Sequence, residues 1–170
     1  MAETGFRRDI PCPSARQLLC LVLRGWPHAD RFVAAFKAAG FGSVGHLAFT
    51  KRYSSAAKHM RGHHEVAYLL AKGYPRPPEQ PISDVIPWSY AGNKLHPTQK
   101  PVSVLAPLVE AFSAPGGLVL DPFAGSGSTL IAARSLGRPY LGIELDAGYH
   151  AAATRRLEPS NPLSGSEGNV

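Results

Sequence analysis

Apolar residues occur along this chain in short blocks separated by turn signals, and block length sorts them into strands and helices. Gln17–Leu23 (QLLCLVL) is almost wholly apolar, too short for an independent helix and suited to a buried strand. After a turn at Gly25-Trp26-Pro27, Asp30 is placed to cap a helix in which Phe32, Val33 and Phe36 share one face. Gly40 is the expected helix stop, with Phe41 folding back on the last turn. Val44–Thr50 and Val66–Ala71 read as strands on either side of a basic stretch, Lys51–His64 (KRYSSAAKHMRGHH).

Residues 74–92 contain Pro75, Pro77, Pro78, Pro81 and Pro87, which argues against regular hydrogen-bonded structure and for a semi-rigid connector. Beyond it, Pro101 suits the first position of a helix whose Val102, Leu105, Leu108, Val109 and Phe112 form one stripe. Pro107 falls inside that helix, where it costs ~3 kcal/mol, and predicts a kink. Leu118–Leu120 is a short apolar strand, Thr129–Leu136 a helix ended by Gly137, Tyr140–Ile143 a further strand and Ala147–Leu157 a last helix. Strand, glycine turn, helix, strand is a βαβ unit with parallel strands and a right-handed crossover. Residues 1–16 read as an irregular lead-in, 17–157 as one domain and 158–170 as a polar, disordered tail.

Composition narrows this picture. A length of 170 residues suits one domain, and 44% hydrophobic with 18% charged residues excludes both a disordered chain and a membrane span. The 17 glycines and 16 prolines follow no collagen period and point to functional loops. The net charge of +6 is concentrated in the first 95 residues, which favours contact with a polyanion over a merely solvated basic surface. Cys12 and Cys20 fit neither a disulfide framework nor a zinc half-site, so a reducing compartment is expected. With no secretion signal in the first residues, the expectation is a cytoplasmic protein without membrane attachment.

The sharpest chemical signal is Asp121-Pro122-Phe123-Ala124-Gly125-Ser126-Gly127-Ser128-Thr129, between an apolar strand and a helix. Gly125 and Gly127 remove Cβ atoms that would block a ligand approaching the strand end. The helix N-terminus behind them suits a carboxylate or phosphate, and the Asp121 carboxylate suits an ammonium group. Glu144, at the end of the next strand, is placed to accept hydrogen bonds from ribose hydroxyls. Together these describe a nucleoside with a zwitterionic tail. A dinucleotide loop would carry glycine where Leu130 stands, and a phosphate loop would carry lysine after Gly127, where Ser128 stands. The bland alternative is a glycine turn that only joins strand to helix. His59, His63 and His64-Glu65 lack a third ligand at recognisable spacing, so no metal site is assigned. Trp88 and Tyr90 read as packing anchors.

Asp121–Thr129 resembles the S-adenosylmethionine motif of DNA amino methyltransferases, and Asn93-Lys94-Leu95-His96-Pro97-Thr98-Gln99-Lys100-Pro101 resembles the partner motif preceding it in their beta class. The resemblance runs roughly over residues 28–157. It implies an α/β fold, part of a Rossmann-like methyltransferase sheet with helices on both faces. It also implies methyl transfer from S-adenosylmethionine to adenine N6 or cytosine N4 of DNA. Asp121, Phe123, Gly125 and Gly127 would meet the amino-acid end of the cofactor, Thr98 and Lys100 would close over it, and Glu144 would take the ribose. By the same resemblance, Lys51, Arg52, Lys58 and Arg61 would contact DNA phosphates and Tyr53 would stack on a base.

One part of the family pattern is not found. The catalytic loop, Asp/Asn/Ser-Pro-Pro followed by an aromatic residue, accepts hydrogen bonds from the target amino group. Asp9-Ile10-Pro11-Cys12 and Arg76-Pro77-Pro78-Glu79 both fail to match it, so no catalytic residue is assigned. The family would place this loop before residue 17, on a strand beside Leu118–Leu120. The expectation is therefore an incomplete sheet with an open edge, in a truncated or split gene product that a complementing N-terminal chain would complete. A second reading is an inactive remnant or half-enzyme that binds only DNA or cofactor; a third is an unrelated nucleotide-binding enzyme.

Overall fold

A computed structural model describes residues 18–23, 28–56, 59, 61–89 and 99–158. The fold is α/β, with elements in the order β1 (Leu18–Leu23), α1 (Ala29–Ala38), β2 (Gly42–Ala56), β3 (Arg61–Lys72), β4 (Val85–Pro87), α2 (Val102–Phe112), β5 (Val119–Asp121), α3 (Ser128–Ser135), β6 (Tyr140–Gly142) and α4 (Ala147–Leu157). The strands form two sheets. One has four strands in the order β1-β3-β2-β4, and the other is the parallel pair β5-β6. The predicted βαβ unit is present as β5–α3–β6, with Leu120 opposite Leu141. Among the described residues no helix is long and apolar enough to cross a membrane.

Several elements differ from the sequence reading. The strands reach further into the basic stretch than the sequence indicates: β2 continues to Ala56 and β3 begins at Arg61, forming a longer hairpin. Its register shifts between Thr50 and Ser55, so that Lys51–Ser54 lie opposite His63 alone. The proline-rich connector is not devoid of hydrogen-bonded structure, because β4 pairs parallel to β2 with Ala48 opposite Val85 and Thr50 opposite Pro87. The Ala48 N–H donates to the Asp84 carbonyl at 2.7 Å and the Trp88 N–H to the Thr50 carbonyl at 2.8 Å, bracketing the strand. Proline is compatible with this place because β4 is an edge strand. Asp30 falls inside the first turn of α1 instead of capping it, and His28 takes the cap position without a side-chain bond. The helix stop is as expected: Gly40 and Phe41 N–H groups return to Lys37 and Phe36 carbonyls, and the Phe36 and Phe41 rings meet edge-on at 5.4 Å.

One helix joins the two sheets. Val104, Leu105, Leu108 and Val109 of α2 are buried in a cluster with Leu47 and Phe49 of β2, Ala67 of β3, and Ala132 and Ala133 of α3. Trp88 packs on the same core, its ring 5.6 Å from that of Phe49. The helix runs without interruption through Pro107, which lies on its exposed side. There the ring meets solvent, and the bond it forfeits is the one its missing N–H would have made.

The strand expected beside β5 would come from before residue 17, outside the described residues. Among the described residues β5 pairs with β6 alone, and β1 is the edge of the other sheet. Leu120 and its partner Leu141 are exposed, as is Ile143. Parallel strands are ordinarily covered on both faces, so this bare apolar surface is unusual.

The joining role of α2 gives a test. Leu108→Ala should destabilise the chain by roughly 2–5 kcal/mol, read as a fall in the urea midpoint. Pro107→Ala, on the opposite side, should raise that midpoint by restoring a backbone donor.

Candidate cofactor site

β5 delivers the loop at Asp121, and α3 continues from it at Ser128. Residues beyond β6 close the loop from the side. The Ile143 N–H donates to the Asp121 carbonyl and the Ala124 N–H to the Ile143 carbonyl, each at 2.9 Å. At the turn into α3, Gly127 has φ +79° and donates its N–H to the Ala124 carbonyl at 2.8 Å. A Cβ at this position would lie 2.9 Å from the Cβ of Ala153, so α4 packs directly against the loop. Gly142 serves the same closeness at β6, where an added Cβ would collide with the Leu130 side chain.

Asp121 is half-buried, and its Oδ1 accepts the Phe123 N–H at 3.0 Å. This bond fixes the carboxylate at the strand end while its other oxygen has no partner among the described residues. Glu144 does more than sequence reasoning assigned to it. Its Oε2 accepts the Gly125 N–H at 2.7 Å and its Oε1 accepts the Asp146 N–H at 2.9 Å. The carboxylate thus ties the loop to the start of α4, which Asp146 caps by accepting the Tyr149 N–H. The Asp146 N–H bond, aided by that of Gly125, holds the Glu144 carboxyl below its usual pKa against a smaller opposing effect of desolvation.

Two residues escaped the sequence reading, Leu145 and Arg156. Leu145 is fully exposed and Phe123, already a candidate, is 87% exposed, both among the residues that bound a polar loop, where bare apolar side chains suit a ligand ring. The signal for Leu145 was an apolar residue directly after Glu144. Arg156, near the end of α4, donates to the Ser126 carbonyl and lies within 3.2 Å of the Ser126 Oγ and 3.4 Å of the Ser128 Oγ. Burial lowers the pKa of its guanidinium. A basic residue in a last helical turn ordinarily reads as a partner of the helix dipole, which conceals such a role.

The other candidates gather elsewhere. Lys51 turns inward, its side chain only 3% exposed, and its Nζ meets the Glu65 Oε1 at 2.8 Å. A buried ammonium needs such a partner, so Lys51 does not present its charge outward as a phosphate contact would require. Lys100 joins this group, its Nζ 5.2 Å from the Trp88 ring centroid. Burial pushes its pKa down, while Glu65 opposes and Lys51 reinforces the shift. Among the described residues Lys100 interacts with this cluster instead of the glycine loop. Arg52, Tyr53 and Arg61 are exposed on the β2–β3 hairpin. Thr98 and Lys58, like Tyr90, lie outside the described residues.

Gly127→Ala should force φ out of the left-handed region and drive Cβ into Ala153, destabilising the chain by roughly 1–3 kcal/mol in urea unfolding. For Glu144 the folded pKa is the lower one, so its contribution is present above the ordinary carboxylate pKa and disappears as pH falls through the folded value. Urea midpoints of the wild type and Glu144→Gln should therefore differ most near neutral pH and converge in acid.

A family model described as DNA methylase matches residues 19–155. YubD of Escherichia coli, a methylase by its name, is 54% identical over 142 residues, which is 84% of this chain and 63% of that protein. The chain thus spans under two thirds of this relative's length. Among solved structures, the M1.HpyAVI–SAM complex superposes with a TM-score of 0.70 at 22% identity, covering 82% of this chain and 74% of that one. TTHA0409 of Thermus thermophilus, complexed with S-adenosyl-L-methionine, superposes with a TM-score of 0.61 at 26% identity over 82% of this chain and 68% of its own. The fold is therefore the Rossmann-like one of methyltransferases. Since the family match runs from the first described strand into the last helix, this chain belongs to the DNA methylase family.

Proposed function

We propose that the chain binds S-adenosylmethionine at the glycine loop and serves methyl transfer to an exocyclic amino group, adenine N6 or cytosine N4, of DNA in the cytoplasm. The observation that carries this reading is the pairing of Asp121 and Glu144 on either side of a glycine loop that opens α3. Asp121 would take the ammonium group of the cofactor and the α3 N-terminus its carboxylate. Glu144 retains acceptor capacity for the ribose hydroxyls while bracing the loop. Phe123 and Leu145 would cover the adenine. When bound, the cofactor supplies a methyl group activated by its sulfonium. Lys100, partly buried over Trp88, would close the methionine side together with Thr98.

Arg52, Tyr53 and Arg61 would meet DNA on the hairpin, with Lys58 alongside, and Lys51 would support them from beneath through Glu65. Catalysis also needs acceptors for the amino hydrogens of the target base, and no described residue forms a loop of that kind. A parallel strand beside β5, from outside the described residues or from a complementing chain, would bring that loop and complete the sheet. The exposed Leu120 and Leu141, and the pairing of β5 with β6 alone among the described residues, favour this arrangement. They equally suit a half-enzyme that binds cofactor without turning it over.

Calorimetry with S-adenosylmethionine tests the first part. Binding heat is expected for the wild type, and Asp121→Ala should weaken affinity by about tenfold or more, roughly 1.4 kcal/mol. Absence of heat sinks the cofactor assignment. Incubation of the chain alone with DNA and tritiated cofactor should leave the DNA unlabelled; labelled DNA would show that the catalytic loop is present after all.

A further inference from the structure

The glycine loop contains a weak point that its own sequence creates. Gly127 tolerates φ of either sign, so the peptide plane between Ser126 and Gly127 is free to turn over unless something holds it. In the structure both ends of that plane are held. The Gly127 N–H donates to the Ala124 carbonyl at 2.8 Å, and the Ser126 carbonyl accepts from Nη1 of Arg156, which also meets the Ser126 and Ser128 hydroxyls. Ser126 and Ser128 are both buried, and Ala153, one turn earlier on α4, is packed against Gly127. A turned plane would aim the Ser126 carbonyl away from α4 and change the dipole that the loop presents.

We propose that Arg156 is a positioning residue for cofactor binding, holding the Ser126–Gly127 peptide in the orientation that lets the loop accept an anionic group. This rests on the reading that the loop holds S-adenosylmethionine. The charge of Arg156 suits the C-terminal end of α4, yet its hydrogen bonds go to the loop at the start of α3. Arg134 supplies the comparison. It also ties α3 to α4, through the Leu157 carbonyl at 2.8 Å and the Glu158 carbonyl at 3.4 Å, but those contacts lie away from the loop.

The test is calorimetric titration with S-adenosylmethionine, alongside thermal unfolding, of the wild type, Arg156→Met, Arg156→Lys and Arg134→Met. Arg156→Met should weaken binding by about tenfold, the worth of one charge-assisted hydrogen bond. Arg156→Lys, which keeps a donor, should recover part of that loss. Arg134→Met should lower the unfolding midpoint yet bind within about twofold of the wild type. Equal affinity of Arg156→Met and the wild type overturns the proposal, as does an equal loss in Arg134→Met. If Arg156→Met does not fold, Arg156→Lys against Arg134→Lys decides by the same criterion. A wild type that gives no heat refutes the cofactor reading itself and this role with it, whereas the other failures leave wild-type binding intact.

Discussion

Burial of α2 is the interaction on which the rest of this structure depends. The two sheets share no hydrogen-bonded strand among the described residues, so nothing in their ladders fixes one against the other. Leu105, Leu108 and their neighbours fill the space between Phe49 on one side and Ala132 and Ala133 on the other. Small residues on α3 let the helices approach closely, and each buried leucine contributes roughly 1.5–3 kcal/mol. The position of the glycine loop relative to the hairpin is therefore a consequence of side-chain packing instead of backbone pairing.

The loop itself is built by a different principle. It is held by named hydrogen bonds from three directions. Ile143 closes it along the strand, Glu144 from the start of α4 and Arg156 from the end of that helix. Among the described residues, every buried side-chain polar atom finds a partner. Such a network leaves few ways to rearrange, which suits a site that must present fixed dipoles to a charged ligand.

Legibility in the sequence follows the strength of the local pattern. β1, α1, α2 and the β5–α3–β6 unit are legible close to their observed bounds, because their apolar residues have a clear period and their ends carry glycine or proline. The hairpin reads short because beyond Thr50 the apolar alternation of β2 disappears, although backbone pairing with β3 resumes at Ser55 and Ala56 after a register shift. β4 is hidden by its prolines, whose missing N–H is harmless at an edge. Asp121, the glycines and Glu144 are visible as a motif, whereas the inward turn of Lys51 and the reach of Arg156 are not. Both depend on contacts between residues far apart in the chain, Lys51 with Glu65 and Arg156 with Ser126.

The bare leucine pair on β5 and β6 also bears on how copies of this chain behave toward one another. An exposed apolar surface favours sticking, and in dilute salt the net charge of +6 opposes it by mutual repulsion. That repulsion fades as ionic strength rises and the screening length shrinks to a few ångströms, on the order of 3 Å at 1 M. Colloidal stability and a covered β5–β6 face are thus linked: whatever shields Leu120 and Leu141 also frees the chain from its dependence on charge to stay dispersed.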